Sequence, residues 1–358
     1  MASRSATVIG LGLIGSSIAK SLSESGFTVY GVDKNSDTAD LAKELGLIES
    51  IGFNAESEIV FISTPVEEAV KEVTYALSNS NSSTVVTDVA GVKSSIVSQV
   101  SSERFVGGHP MAGSELSGPK GADSSMFKNA TWVLTPTSKT SSEAYLKVRD
   151  IVSNNLGANP INLGADEHDQ FVALVSHLPH IVAVMLMDIA SEISKEEAWL
   201  LRLAAGGFRD MTRIAAGSPN IWPGVLIENK KSVVNAVDLL IYRLTAVKSL
   251  LEQSKRDNLM TLLQNAQETR LKLPKTYVKA EFLSEIRVGV KDEPGELVKV
   301  LSIARDLDIN IEDIEISHTL EDGSGVLLII IDSSKSILFI ESLEVNGYKA
   351  NLVDIKEK

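Results

Sequence analysis

Ala6-Thr-Val-Ile-Gly-Leu-Gly-Leu-Ile-Gly15 is a short apolar run that ends in glycines spaced GxGxxG, and Ser16-Ser-Ile-Ala-Lys-Ser-Leu22 behind it has helical apolar spacing. A buried strand that passes through a glycine turn into a helix is the setting in which this motif binds a dinucleotide. Gly10 permits the tight turn, Gly12 the close approach of a pyrophosphate, and Gly15 the packing of helix on strand. Leu13 and Ile14 open the helix whose N-terminus would face the phosphates. A second strand, Thr28-Val-Tyr-Gly-Val-Asp33, ends in an acid at the spacing of a ribose-hydroxyl ligand. A carboxylate there repels a 2'-phosphate, so NAD is expected over NADP, although Lys34 beside it works against that preference.

The alternation continues with Ile59-Val-Phe-Ile-Ser-Thr-Pro65, Thr84-Val-Val-Thr-Asp-Val89 and Phe105-Val-Gly-Gly-His109, each suited to a buried parallel strand. Thr64 and Pro65, and the turn Asp88-Val-Ala-Gly-Val-Lys93, fall at the C-terminal strand ends, where open α/β sheets bind ligands. Thr131 to Thr135, a helix from Ser141 and a strand near Pro160 to Leu163 complete a Rossmann-type dinucleotide-binding domain over residues 1–164. His109 stands on the same rim, at the mouth of a stretch from Gly107 to Gly121 whose glycines and prolines mark a shaped loop. It is either the reactive imidazole of a site or a strand-end residue that caps a turn.

Composition narrows the function classes. With 358 residues, 44% of them hydrophobic and 23% charged, the chain is globular and long enough for two or three domains. A net charge of -13 and a pI near 5.0 argue against a nucleic-acid or anionic-membrane surface, so anionic ligands need local positive groups. Absence of cysteine rules out disulfides and thiolate chemistry. The first strand starts too early for a signal peptide, and Asp188 interrupts the most apolar helix, so the expectation is a cytoplasmic protein without a membrane span.

From Asp166 the pattern turns to long helices, giving an all-α domain over 165–278. Ala165-Asp-Glu-His-Asp169 places acids in a first helical turn. His177 and His180 in Ser176-His-Leu-Pro-His180 can share a helical face, but as a metal pair they lack a third ligand; core histidines are the plainer reading, and no metal is expected. Arg209 and Arg213 stand four apart, on one helical face, and in so acidic a chain one of them is a candidate to grip a substrate carboxylate. The helices from Ile227 to Leu271 carry apolar stripes suited to a core or dimer surface. Residues 280–358 read as βαββαβ, a ferredoxin-like module, with Asp292-Glu-Pro-Gly295 opening its first helix.

Three stretches together resemble the prephenate dehydrogenases of tyrosine biosynthesis: Val8 to Gly15, Gly108-His-Pro-Met-Ala-Gly-Ser-Glu115 and Ser176 to His180. Phe208-Arg-Asp-Met-Thr-Arg-Ile-Ala215 fits the same family, and the C-terminal unit, with Pro294-Gly295 and Asn310-Ile311, resembles an ACT regulatory domain. The resemblance implies oxidation and decarboxylation of prephenate to 4-hydroxyphenylpyruvate with NAD or NADP. His109 would take the substrate 4-hydroxyl and Arg213 a carboxylate, with His177 and His180 lining the pocket and Glu115 and Asp169 near its mouth. It implies a helical dimerisation domain, a homodimer, and tyrosine as effector near Pro294, Gly295, Asn310 and Ile311. Arogenate dehydrogenase is the rival reading, followed by a related hydroxyacid dehydrogenase and a non-catalytic NAD and amino-acid sensor. One departure stands out. Gly91 occupies the place where many members have a serine that shares a hydrogen bond with the catalytic histidine and substrate hydroxyl, so either another group, Ser114 or water, supplies the contact or the rate is lower.

Overall fold

The computed structural model describes residues 4–114, 116–195, 197, 199–272, 283–291, 293–318 and 324–353. The chain divides into two compact units, Met1–Leu259 and Met260–Lys358.

The first unit is organised by one sheet. Its strands are β1 (Ser5–Ile9), β2 (Thr28–Val32), β3 (Ser50–Ile51), β4 (Ile59–Ile62), β5 (Val85–Asp88), β6 (Phe105–Pro110), β7 (Thr131–Thr135) and β8 (Asn159–Asn162). They lie in the order β3-β2-β1-β4-β5-β6-β7-β8, parallel from β3 through β6, with β7 antiparallel to β6. The order reverses between β1 and β4, which opens a crevice at their C-terminal ends where a ligand fits. The apolar strand runs are continuous because both faces are covered: β4 and β5 are buried throughout. Helix α1 (Leu13–Glu24) follows β1, α2 (Ser36–Glu44) follows β2, α3 (Val66–Asn79) follows β4 and α5 (Ser142–Asp150) follows β7, while the short α4 (Ser94–Val97) follows β5. One apolar cluster joins Ile18 and Leu22 of α1 to Phe61, Phe127 and Trp132; a second joins Val73 of α3 to Val60, Ile62 and Val86.

Helices α6 (Ala165–Val172) and α7 (Leu178–Ser194) are joined by a wider π-type turn over Ala173–His177, so one helix runs from Ala165 to Ser194. The expectation that Asp188 breaks this segment is corrected: Asp188 is exposed, where a charge costs little, and by length and composition the helix could cross a membrane. Its Phe171, Val175, Met185, Ile189 and Ile193 are exposed, yet His168, Asp169, His177 and His180 are buried on protein. That division is the pattern of a helix with one face packed and one apolar face left over. Helices α8 (Gly206–Thr212), α9 (Trp222–Glu228), α10 (Lys230–Glu252) and α11 (Arg256–Lys272) follow, the last spanning the boundary between units. A small core of Ala173, Val233 and Ala236 fastens α10 to the π-type turn.

The second unit contains β9 (Leu283–Lys291), α12 (Glu296–Asp306), β10 (Ile311–His318), β11 (Ser324–Asp332), α13 (Ser336–Val345) and β12 (Lys349–Val353). The sheet order is β10-β11-β9-β12, antiparallel throughout, so the connectivity is the βαββαβ read from the sequence. Alternation along β9 explains the layering: Ile286 and Val288 enter a core with Val300, Ile329 and Phe339, while Arg287 stays partly exposed.

Candidate active site

The glycine turn behaves as its spacing suggests. Gly10 has φ +94°, and a Cβ there would stand 2.4 Å from the Ser63 carbonyl oxygen. At Gly15 a Cβ would stand 1.9 Å from the Gly10 carbonyl, so β1 and α1 can approach only without side chains at both places. Gly12 differs, since a Cβ would meet nothing within 4 Å and the backbone is open to close approach. Leu13 and Ile14 form the first turn of α1, whose leading N–H groups point at that opening. Asp33 closes β2 and accepts the Leu11 N–H at 2.7 Å through Oδ2 and the Asn35 N–H at 2.9 Å through Oδ1, so it braces the turn while retaining lone pairs. Thr64, beside Gly10 and followed by Pro65 at the cap of α3, keeps a buried Oγ1 without a partner among the described residues. An open glycine backbone, a helix N-terminus, an acid and an orphaned hydroxyl on one rim fit a dinucleotide.

His109 lies in β6 on that rim, half-buried. Behind it, Lys93 is fully buried and reaches both the Asp88 carboxylate and the Gly108 carbonyl (2.7 Å), which fastens the end of β6 to the β5 turn. The Nδ1 of His109 is 2.8 Å from Nε2 of His168, with the rings edge to face. His168 in turn sets its Nδ1 2.8 Å from Oδ1 of Asp169. Burial above all, with Lys93 close by, pushes the His109 imidazole well below its ordinary pKa, so the ring is neutral at physiological pH and able to accept a proton. On the other side of the ring, a Cβ on Gly91 would be 3.7 Å from Nε2. Position 91 therefore faces this second ring nitrogen.

Ser114 is exposed and its Oγ accepts the Leu116 N–H at 3.3 Å, while the Nδ1 side of His109 is met by His168. Asp169 lines a cavity together with Ser94, Asp166 and Asn229. It is buried on α6, where Oδ1 and Oδ2 accept the backbone N–H groups of Lys93 (2.8 Å) and Ser94 (2.9 Å). Burial raises its pKa, but the bonds from His168, Lys93 and Ser94 outweigh that and hold the carboxyl below its usual range. Glu115 lies outside the described residues.

His177 and His180 are both buried and meet Trp222 of α9. His180 stacks on the indole at 3.6 Å between ring centres, and His177 meets it edge-on. Asn229 holds the ensemble together: its Nδ2 donates to the Asp169 carbonyl at 2.7 Å and lies 3.3 Å from Nδ1 of His177. Burial is the main cause that lowers His177 to about 4. Among the described residues no group of three or more His, Asp or Glu is arranged to hold a metal ion. Arg209 lies in α8, and Arg213, the C-cap residue of that helix, begins a 3-10 turn over Arg213–Ala216. That turn packs on α7, the helix of His180, and Arg213 is exposed.

Sequence reading missed His168, Trp222 and Asn229. A signal existed only for the first, as the His-Asp pair at 168 and 169, and it was legible there as nothing more than helix N-terminal polarity. In the second unit, Gly295 has φ +96° and caps α12, Pro294 precedes it, Asn310 leads into β10 and Ile311 packs against the local core.

Residues 18–160 match the family described as the prephenate dehydrogenase nucleotide-binding domain, and residues 164–265 the prephenate dehydrogenase dimerization domain. The chain is 34% identical over 340 residues to the prephenate dehydrogenase of Bacillus subtilis, covering 90% of this chain and 91% of that protein. Its fold is similar to the A. aeolicus prephenate dehydrogenase solved with hydroxyphenyl propionate and NAD+ (TM-score 0.71, 30% identity, 76% of this chain and 99% of that one). It is also similar to the Synechocystis arogenate dehydrogenase (TM-score 0.65, 30% identity, 75% and 99%). With the glycine turn, the acid after β2 and the imidazole on the rim all in place, likeness over nine-tenths of the sequence means that the chain belongs to the prephenate dehydrogenase family and is an NAD-dependent oxidoreductase.

Proposed function

We propose that this enzyme oxidatively decarboxylates prephenate to 4-hydroxyphenylpyruvate and is restrained by tyrosine through its C-terminal unit. The observation that carries the reading is the neutral His109 imidazole, backed by His168 and presenting Nε2 toward the turn at Gly91. Bound NAD supplies the hydride acceptor. As C4 gives up its hydride, the 4-hydroxyl passes its proton to His109 Nε2 and becomes a carbonyl; when CO2 leaves, its electron pair flows through the ring to that oxygen, and His109 returns the proton to form the phenol. Aromatisation drives the second step, so the protein has to align C4, exclude water and anchor two carboxylates. Arg213 is assigned to one of them as a bidentate cation in an acidic molecule.

Asp88 and Asp169, the buried acids beside His109, are committed to Lys93 and to backbone N–H donors. Neither is free to take an ammonium group, which favours the keto-acid side chain of prephenate over the amino-acid side chain of arogenate. Comparison of kcat/KM on both substrates, each with NAD and NADP, tests this; a preference for arogenate overturns the substrate, and a preference for NADP overturns the role of Asp33.

The βαββαβ order of the second unit supports an ACT-type module in which tyrosine binds around Pro294, Gly295, Asn310 and Ile311, across a pair of such units. The exposed apolar faces of α7 and α10 support a homodimer built on the helical region. Removing residues from about 280 onward is expected to abolish tyrosine inhibition with turnover retained; inhibition at full strength would mean that tyrosine competes at the active site.

A further inference from the structure

Hydrogen-bond partners determine where the protons sit on the buried groups behind His109. Asp169 takes the N–H groups of Lys93 and Ser94 and also the Nδ1 side of His168. An ionised carboxylate only accepts, so His168 must carry its proton on Nδ1. In the neutral ring Nε2 is then bare, and it lies 2.8 Å from Nδ1 of His109. That contact is a hydrogen bond only if His109 supplies the proton from Nδ1. The remaining nitrogen, His109 Nε2, is left as a lone pair, and it is the nitrogen that faces Gly91.

We propose that His168 is a positioning residue: held by Asp169, it fixes His109 in the Nδ1–H tautomer, so that an unprotonated Nε2 meets the substrate hydroxyl. The assignment rests on the prephenate reading above for the identity of that hydroxyl. An imidazole has two neutral tautomers, and only one of them can accept a proton at Nε2. His168 selects that one. Once His109 has accepted a proton, its Nδ1–H becomes a charge-assisted donor to His168, whose far side faces a carboxylate, and the new positive charge is stabilised in an otherwise dry site. The logic is that of a serine-protease triad, with a second imidazole between acid and base.

Two features of the chain follow. A glycine is tolerated at position 91 because the ring is oriented from behind, by His168, and not by a side chain on its substrate face. The base is also assembled from separate parts of the chain, His109 from β6 and the His168–Asp169 pair from α6, so it is complete only when α6 is seated on the turn that follows β5.

The test is nitrogen-15 NMR of the His109 ring in the NAD-bound wild type, combined with His168→Phe and His168→Gln. Phenylalanine keeps the ring volume without an acceptor; glutamine offers an oxygen to His109 Nδ1–H. Nδ1 is expected to be protonated and Nε2 bare in the wild type. For His168→Phe, kcat is expected to fall roughly 10²-fold with NAD affinity unchanged. The acid limb of kcat/KM should move to lower pH, since the imidazolium loses its acceptor, whereas a site merely opened to water would move it up. His168→Gln should recover part of the rate. A proton on Nε2 of wild-type His109, or a His168→Phe enzyme with wild-type kcat and pH limb, overturns the proposal. If His168→Phe does not fold, the wild-type spectrum and His168→Gln decide, a rate below that of the wild type with NAD bound normally being the expected outcome. An enzyme that turns over neither prephenate nor arogenate would refute the reaction assigned above, while the tautomer measured in the NAD complex still decides the role of His168.

Discussion

Gly12→Ala puts one methyl group where the structure leaves open space, and the two other glycines of the motif provide the contrast. The backbone at Gly12 (φ -67°, ψ -164°) is accessible to alanine without strain. Alanine is a poorer N-cap than glycine by a few tenths to about 1 kcal/mol, and it lowers unfolded-chain entropy by a similar amount, about 0.4–1 kcal/mol. These nearly cancel, so Tm without NAD should shift by no more than about 2 °C. The bound pyrophosphate, however, must come against this backbone. A methyl in a packed contact costs about 1–3 kcal/mol, which weakens NAD binding roughly 5- to 150-fold. At Gly15 the added Cβ would lie 1.9 Å from the Gly10 carbonyl, and at Gly10 it would lie 2.4 Å from the Ser63 carbonyl at φ +94°. Backbone must move in both cases, so Gly15→Ala and Gly10→Ala lose stability before any ligand is added. Thermal unfolding with and without NAD, and calorimetric NAD affinity, separate the three. A folded Gly12→Ala protein that binds NAD like wild type would refute the placement of the pyrophosphate at this turn.

His109→Asn should lower kcat roughly 10²–10⁴-fold with NAD affinity retained, and an unchanged rate would remove His109 from proton transfer. Arg213→Gln loses charge-assisted hydrogen bonds worth about 1.5–3 kcal/mol, so KM for prephenate should rise roughly 10- to 150-fold, with kcat less affected; an unchanged KM would transfer the carboxylate to another cation. His177 is lowered to about 4, so between its ordinary value near 6.5 and about 4 the unfolded chain binds a proton that the folded one refuses. Stability is therefore unaffected by His177 above pH ~6.5 and falls as pH drops below it, with a slope of up to about 1.4 kcal/mol per pH unit from this group. Urea unfolding across pH 4–7 should show a shallower slope for His177→Gln, and an identical slope would refute the burial of a neutral ring.

Local rules governed what could be read without coordinates. The strand, the glycine turn, the helix and the acid after the next strand are contiguous, and each imposes its conformation on its immediate neighbours, so the dinucleotide domain was legible from Ala6 to Asp33. The βαββαβ order of residues 283–353 was legible for the same reason, from period-two strands alternating with helical runs. His109 was legible as a candidate for the site because the glycines and prolines around it mark a shaped loop on a strand end. What holds it was not. His168 is 59 positions away, Asn229 reaches His177 across 52, and Asp169 takes backbone protons from Lys93 and Ser94 across 76 and 75. No periodicity encodes those pairings, because they depend on how α6 settles against the β5 turn. Local sequence showed Asp169 only as an acid in a first helical turn for that reason, and Asp188 looked like a break in a helix that its exposure leaves intact. Chain-local sterics and apolar spacing thus specify the elements and the rim on which the chemistry stands. The tautomer and orientation of the imidazole are decided by contacts between elements far apart in sequence, where burial strips water from each polar group and leaves one protein partner to replace it.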